Sequence, residues 1–142
     1  TDNFSESMEF IKTTKAKLLF GHLEIMGFEM HVGHPSATGF DTATFNHFEQ
    51  VFSGHFHHKS ERGNIMYLGA PYEMTWNDFN DPRGFHVLDL ETRELDFIQN
   101  PYSIFHKVIY NDLTTAEDFY NFEDFSEFSG TFVKLVIENQ ND

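Results

Sequence analysis

The apolar positions of the chain alternate between helical and strand-like spacing. Over residues 3–15, Phe4, Met8 and Ile11 recur at helical intervals, with Ser5 and Ser7 as candidate caps, which predicts a short amphipathic helix. The apolar run Leu18-Leu19-Phe20 then stops at Gly21-His22, the pattern of a buried strand that ends in a turn. Residues 31–40, rich in Gly, His, Pro and Ser, predict a loop, and residues 41–49 predict one or two helical turns capped by Asp41. Gln50-Val51-Phe52-Ser53 repeats the earlier unit, because it too is followed by Gly-His. After residue 50 the texture is strand-rich, with strands expected over 64–68, 84–90, 93–99, 105–110 and 131–138. The short polar stretch between the second and third of these suits a hairpin. Residues 111–130 are acidic, studded with Phe and less regular, and form the one candidate boundary.

Composition narrows the classes. The 142 residues carry 39% hydrophobic side chains, 18 Phe and no Cys, so a packed core is expected and disulfides or thiolate metal sites are excluded. No apolar run approaches the ~20 residues of a membrane span, and the acidic, polar start does not read as a signal peptide. A cytoplasmic location is the expectation. The net charge of −14 argues against a broad basic surface for nucleic acid. Any action on nucleic acid would take its positive charge from metals, from further segments or from a partner.

The candidate chemistry lies in the two strand-then-Gly-His units. A strand end projects a side chain into a crevice from a rigid base, and Gly before it permits a tight turn. In the second unit, Ser53-Gly54-His55-Phe56-His57-His58, an extended backbone would send His55 and His57 to one side and Phe56 into packing. Neutral imidazole is the commonest metal ligand, so His22, His55 and His57 are the candidate ligands. Packed or solvated histidines are the alternative, which the pattern alone leaves open. His58 could line the rim. His31 and His34 read as loop residues, and His86 and His106 as ordinary strand positions. His47, in Asn46-His47-Phe48-Glu49, lacks a preceding Gly and falls in an expected helical turn.

Four segments, in this order, carry a resemblance: Phe20-Gly21-His22-Leu23-Glu24, Ser53-Gly54-His55-Phe56-His57, Tyr67-Leu68-Gly69-Ala70-Pro71 and Asp81-Pro82-Arg83-Gly84-Phe85. Together they resemble the calcineurin-like metallophosphoesterases. The Gly-Ala-Pro and Asp-Pro-Arg-Gly-Phe segments point to the nuclease branch that holds the SbcD-type subunit and its T-even-phage counterpart. The resemblance implies an α/β fold, specifically the C-terminal part of a layered α/β sandwich. It implies that residues 1–110 are the C-terminal part of a metallophosphoesterase domain, and that 111–142 are a linker and the start of a DNA-contacting cap domain. It further implies two divalent ions, manganese foremost, with iron, zinc or magnesium as alternatives. His22 and His55 would bind one ion and His57 the other, while Gly69, Ala70, Pro71 and His58 would shape the substrate approach.

The family's earlier Asp-x-His, Gly-Asp and Gly-Asn-His-Asp/Glu motifs do not occur in this chain, so no catalytic histidine is assigned. The function implied is that of a fragment of a DNA exo- or endonuclease subunit in recombination and repair, inactive in isolation. Its implied partners are DNA, an SbcC-like ATPase and, for the fragment, a second copy. Its location would be bacterial cytoplasm, or host cytoplasm for a phage protein. A phosphoesterase acting on small phosphodiesters or phosphoproteins, and a non-catalytic assembly module, are the other readings.

Overall fold

A computed structural model describes residues 2–111, 113 and 125–139. Contacts gather the chain into two units, Thr1–Pro71 with Asn80–Asn100, and Tyr72–Phe79 with Pro101–Asp142. The described residues form a mixed α/β structure, mostly strand, with one α-helix.

The first unit opens with that helix, α1 (Asp2–Thr13), whose Ile11 reaches the core. Its main element is a four-stranded sheet of β1 (Leu18–Gly21), β4 (Gln50–Ser53), β6 (Ile65–Tyr67) and β5 (Ser60–Arg62), in that spatial order. β1, β4 and β6 run parallel, and β5 closes the edge antiparallel to β6. The register pairs Gly21 with Ser53 and Ser53 with Tyr67, so three parallel strands end level with one another. Parallel strands bury both faces and therefore read as continuous apolar runs. Val51 and Phe52 are accordingly both buried.

The core lies against this sheet and holds Ile25, Phe28, Phe45, Phe48, Val51, Phe56, Ile65 and Tyr67. Five of these eight residues are aromatic, and Tyr67 lies at the centre, tilted against Phe28 at 4.9 Å and stacked on Phe56 at 4.7 Å. Such aromatic pairs add about 0.5–1.5 kcal/mol beyond their buried area. The turn that delivers Phe45 is a short 3-10 helix, Thr42–Phe45, capped as expected by the Asp41 carboxylate, which accepts from the Ala43 N–H at 2.8 Å.

Residues 31–40 are not simply loop. β2 (Glu29–His31) and β3 (His34–Pro35) form a small antiparallel hairpin, with the His31 and His34 rings 4.5 Å apart. A pair of such short polar strands gives no alternating signal. The same holds for β5, whose Ser60-Glu61-Arg62 is held by main-chain pairing. The expected hairpin is present as β7 (Gly84–Leu88) and β8 (Leu95–Gln99). Its Phe85, Val87 and Ile98 are exposed, at 58%, 52% and 45%. His86 and Phe97 instead line a cavity of about 380 Å³ together with Lys59, Ser60, Met66 and Leu95.

In the second unit, β9 (Phe105–Asn111) and β10 (Phe132–Glu138) pair in parallel, Phe105 opposite Phe132. The Glu73 carboxylate accepts from the N–H groups of Ile104 and Phe105 at 2.6 and 2.9 Å, fixing the start of β9. Trp76 packs on Phe105 at 4.7 Å. Most of the acidic stretch 111–130 lies outside the described residues.

His86 supplies a test of this packing. Burial, and then the nearby Lys59 ammonium, hold its imidazole below the ordinary histidine value of 6.5. The unfolded chain therefore takes up a proton first as the pH falls. Stability should begin to drop as pH passes down through about 6.5, and level off only once the folded imidazole is also charged. Urea unfolding midpoints between neutral and mildly acidic pH should show that slope, and His86→Gln should flatten it.

Candidate metal centre

Because β1 and β4 are parallel neighbours that end in register, their following residues emerge side by side. The His22 and His55 rings stand edge to face with centres 4.8 Å apart. At metal–nitrogen bonds of 2.0–2.1 Å, two imidazoles sharing an ion have ring centres no more than about 6 Å apart. The pair is of the right donor type and lies within that limit. No third His, Asp or Glu completes a ligand group with them among the described residues. The described residues thus bring two donors together, fewer than the three protein ligands of a catalytic zinc-type site.

Two hydroxyls hold the main chain beside the pair. Ser53, fully buried at the end of β4, donates through Oγ to the Leu23 carbonyl at 2.8 Å and accepts from the Leu23 N–H at 3.0 Å. The same oxygen lies 3.3 Å from the His55 N–H, which donates to it. One hydroxyl therefore ties the residue after His22 to the main chain of His55. Tyr67 adds to this from β6, donating to the Leu23 carbonyl at 2.7 Å and accepting from the Ile25 N–H at 2.8 Å. Burial is the main cause that raises the Tyr67 phenol above its usual value, so it stays a donor at any physiological pH.

His57 does not follow the extended-chain expectation. Residues 55–58 bend instead of continuing β4, so the alternation that would place His55 and His57 on one side is absent. Phe56 is buried, as expected. The His57 carbonyl accepts from the Ala70 N–H at 3.0 Å and from the Arg83 guanidinium. His58 turns to Asp81, with Nδ1 2.8 Å from Oδ2, and its Nε2 lies 3.5 Å from Glu29. The loop Gly69-Ala70-Pro71 packs on this segment. At Gly69 the backbone is left-handed, with φ +73°, and a Cβ would meet the His57 carbonyl at 2.9 Å, so only glycine fits. Gly54 is different. It has no positive φ and open space around it, so no tight approach explains it.

No protein-family model matches the chain. It is 34% identical over 136 residues to "Exonuclease subunit 1" of Enterobacteria phage T4, which covers 96% of this chain and 38% of that protein. It is 30% identical over 92 residues to the SbcD component of the SbcCD nuclease of Staphylococcus epidermidis, which covers 60% of this chain and 25% of that protein. The chain is homologous to part of these nuclease components. It spans well under half the length of either, so what the whole proteins do is a separate question.

Sequence pattern points to the imidazoles of this homologue but not to what holds them. Ser53 enters only as part of a motif, and Asp81 and Arg83 only as marks of a branch. A small hydroxyl just before Gly-His, and opposite charges two residues apart around a proline, are the available signals.

Ser53→Ala should remove the side-chain link between the two histidine turns and leave the part-buried Leu23 N–H without its partner, while the Leu23 carbonyl keeps Tyr67 and the main-chain bond from Gly54 N–H to the Gly21 carbonyl remains. A loss of about 1–3 kcal/mol is expected, read by urea unfolding. Ser53→Thr, which keeps the hydroxyl, should lose less if its extra methyl is accommodated.

Proposed function

We propose that this chain is the ligand-bearing C-terminal part of the phosphoesterase domain of an SbcD-like, metal-dependent DNA nuclease subunit. The observation that carries the reading is the His22–His55 pair at the ends of adjacent parallel strands. It occurs in a chain that aligns over 96% of its length with a phage exonuclease subunit. His22 and His55 bind one divalent ion, and His57 binds the second, with carboxylates and further ligands supplied from outside these residues. Two such ions would neutralise phosphate charge and lower the pKa of water. Ser53 and Tyr67 hold the main chain beside the imidazoles, and Phe56 stacks on Tyr67. Gly69, Ala70, Pro71 and His58 border the approach of a phosphodiester. Manganese suits a mixed imidazole and carboxylate set of this kind.

On this reading the parallel sheet belongs to a layered α/β sandwich, and residues 111–142 begin the cap. DNA and an SbcC-like ATPase are its partners, in a cytoplasmic setting. No helix among the described residues is long and apolar enough to cross a membrane. The outward stripe Phe85, Val87 and Ile98 is the face that the rest of the sandwich would cover.

Three outcomes test this. The 142-residue chain alone should show no manganese-dependent DNA cleavage, and robust cleavage would overturn the split-site reading. His55→Ala and His57→Ala should keep the unfolding transition seen without metal but lose manganese uptake. A folding defect instead would favour an assembly module in which the histidines are structural. Finally, the isolated chain should self-associate with rising concentration in light scattering, and Phe85→Lys with Val87→Lys should disperse it.

A further inference from the structure

Residues 54–59 follow β4 without regular structure, so no strand ladder fixes the main chain that carries His57. An ion pair does so instead. The Arg83 guanidinium donates through Nη1 to the His57 carbonyl and through Nη2 to Asp81 Oδ2, the latter at 2.6 Å. The same Asp81 oxygen takes the His58 Nδ1 contact at 2.8 Å. Both charged side chains are buried, Arg83 at 3% exposure and Asp81 at 6%. Arg83 is in turn anchored at the start of β7, where its carbonyl accepts from the Asn100 N–H at 2.7 Å.

A buried ion pair is an inefficient source of stability, because desolvation of both charges offsets most of their attraction. What it supplies here is geometry. The planar guanidinium spans two acceptors at fixed angles, which a lysine ammonium cannot do. We propose that Arg83 and Asp81 are positioning residues for the His55–His58 segment, presetting the backbone of His57 and the ring of His58 before an ion arrives. The proposal rests on the reading of His57 as a metal ligand, and neither Arg83 nor Asp81 is assigned contact with the ion.

The test uses the chain labelled with ¹⁵N at histidine and titrated with Mn²⁺ alone, reading paramagnetic broadening of each imidazole, and separately the hydrogen exchange of the Ala70 amide. Arg83→Lys keeps the charge but loses the fork. It should leave the unfolding transition and the His22 and His55 responses unchanged, while His57 needs about 10- to 100-fold more Mn²⁺, the usual effect of losing a group that orients a ligand. The Ala70 amide, which shares the His57 carbonyl, should exchange faster.

Unchanged Mn²⁺ sensitivity of His57 in a folded variant would overturn the proposal. So would an equal loss at all three histidines in step with stability, since that marks a merely structural pair. Should Arg83→Lys fail to fold, Asp81→Asn is judged by the same criteria. If His57 of the unmodified chain ignores Mn²⁺, the metal reading of His57 fails separately. Ala70 exchange then decides the brace, faster supporting it and unchanged overturning it.

Discussion

The candidate centre depends on one buried hydroxyl. Ser53 Oγ joins the turn after β1 to the turn after β4, through Leu23 on one side and His55 on the other. Parallel pairing brings the two strand ends level, but a ladder stops at its last residue and leaves the next side chains free to splay. The hydroxyl extends the registration by one step beyond the sheet. Since it both donates and accepts, it supplies the partner of the part-buried Leu23 N–H and shares the Leu23 carbonyl with Tyr67. Tyr67 repeats the device from the third strand.

The segment carrying His57 is organised on a different principle. The bend at 55–58 is held by contacts from later in the sequence: the left-handed Gly69 turn, the Ala70 N–H and the Arg83 fork. Imidazoles that lie close in sequence are therefore positioned by separate structures. His22 and His55 are fixed by the sheet and its hydroxyls, and the His57 backbone by a loop and an ion pair. A substitution that loosens one need not loosen the other.

This division explains what can be read in advance. The strands with strong apolar patterns, β1, β4, β6, β7, β8, β9 and β10, and the helix α1, fall where hydrophobic spacing places them. β2, β3 and β5 do not announce themselves, because Ser60-Glu61-Arg62 and the His-rich hairpin bury little and pair through main-chain groups. The two strand-then-Gly-His units are legible, and the resemblance pairs His22 with His55, but the parallel pairing that brings their rings together is seen only in the fold. The expected placing of His55 and His57 on one side does not carry over, since alternation holds only in extended chain and residues 55–58 bend. Ser53, Tyr67 and Arg83 act across 30, 44 and 26 residues respectively. Local pattern carries no record of such partners.

Charge ties the site to the surface around it. The chain has nine lysines and arginines against 23 acidic residues, and six of the nine are engaged within the fold. Lys17 and Arg93 meet Glu49, Arg83 meets Asp81, and Arg62 donates to the Gly27 carbonyl. Lys59 and Lys107 lie over the rings of Phe97 and Phe79. Among the described residues, four of these cations are therefore spent on carboxylates or a main-chain carbonyl and two lie over aromatic rings. A net charge of −14 repels polyanions and attracts divalent cations as a general property of the chain. On the nuclease reading, the ions then serve twice: they supply the chemistry, and they make the approach of a phosphodiester electrostatically feasible.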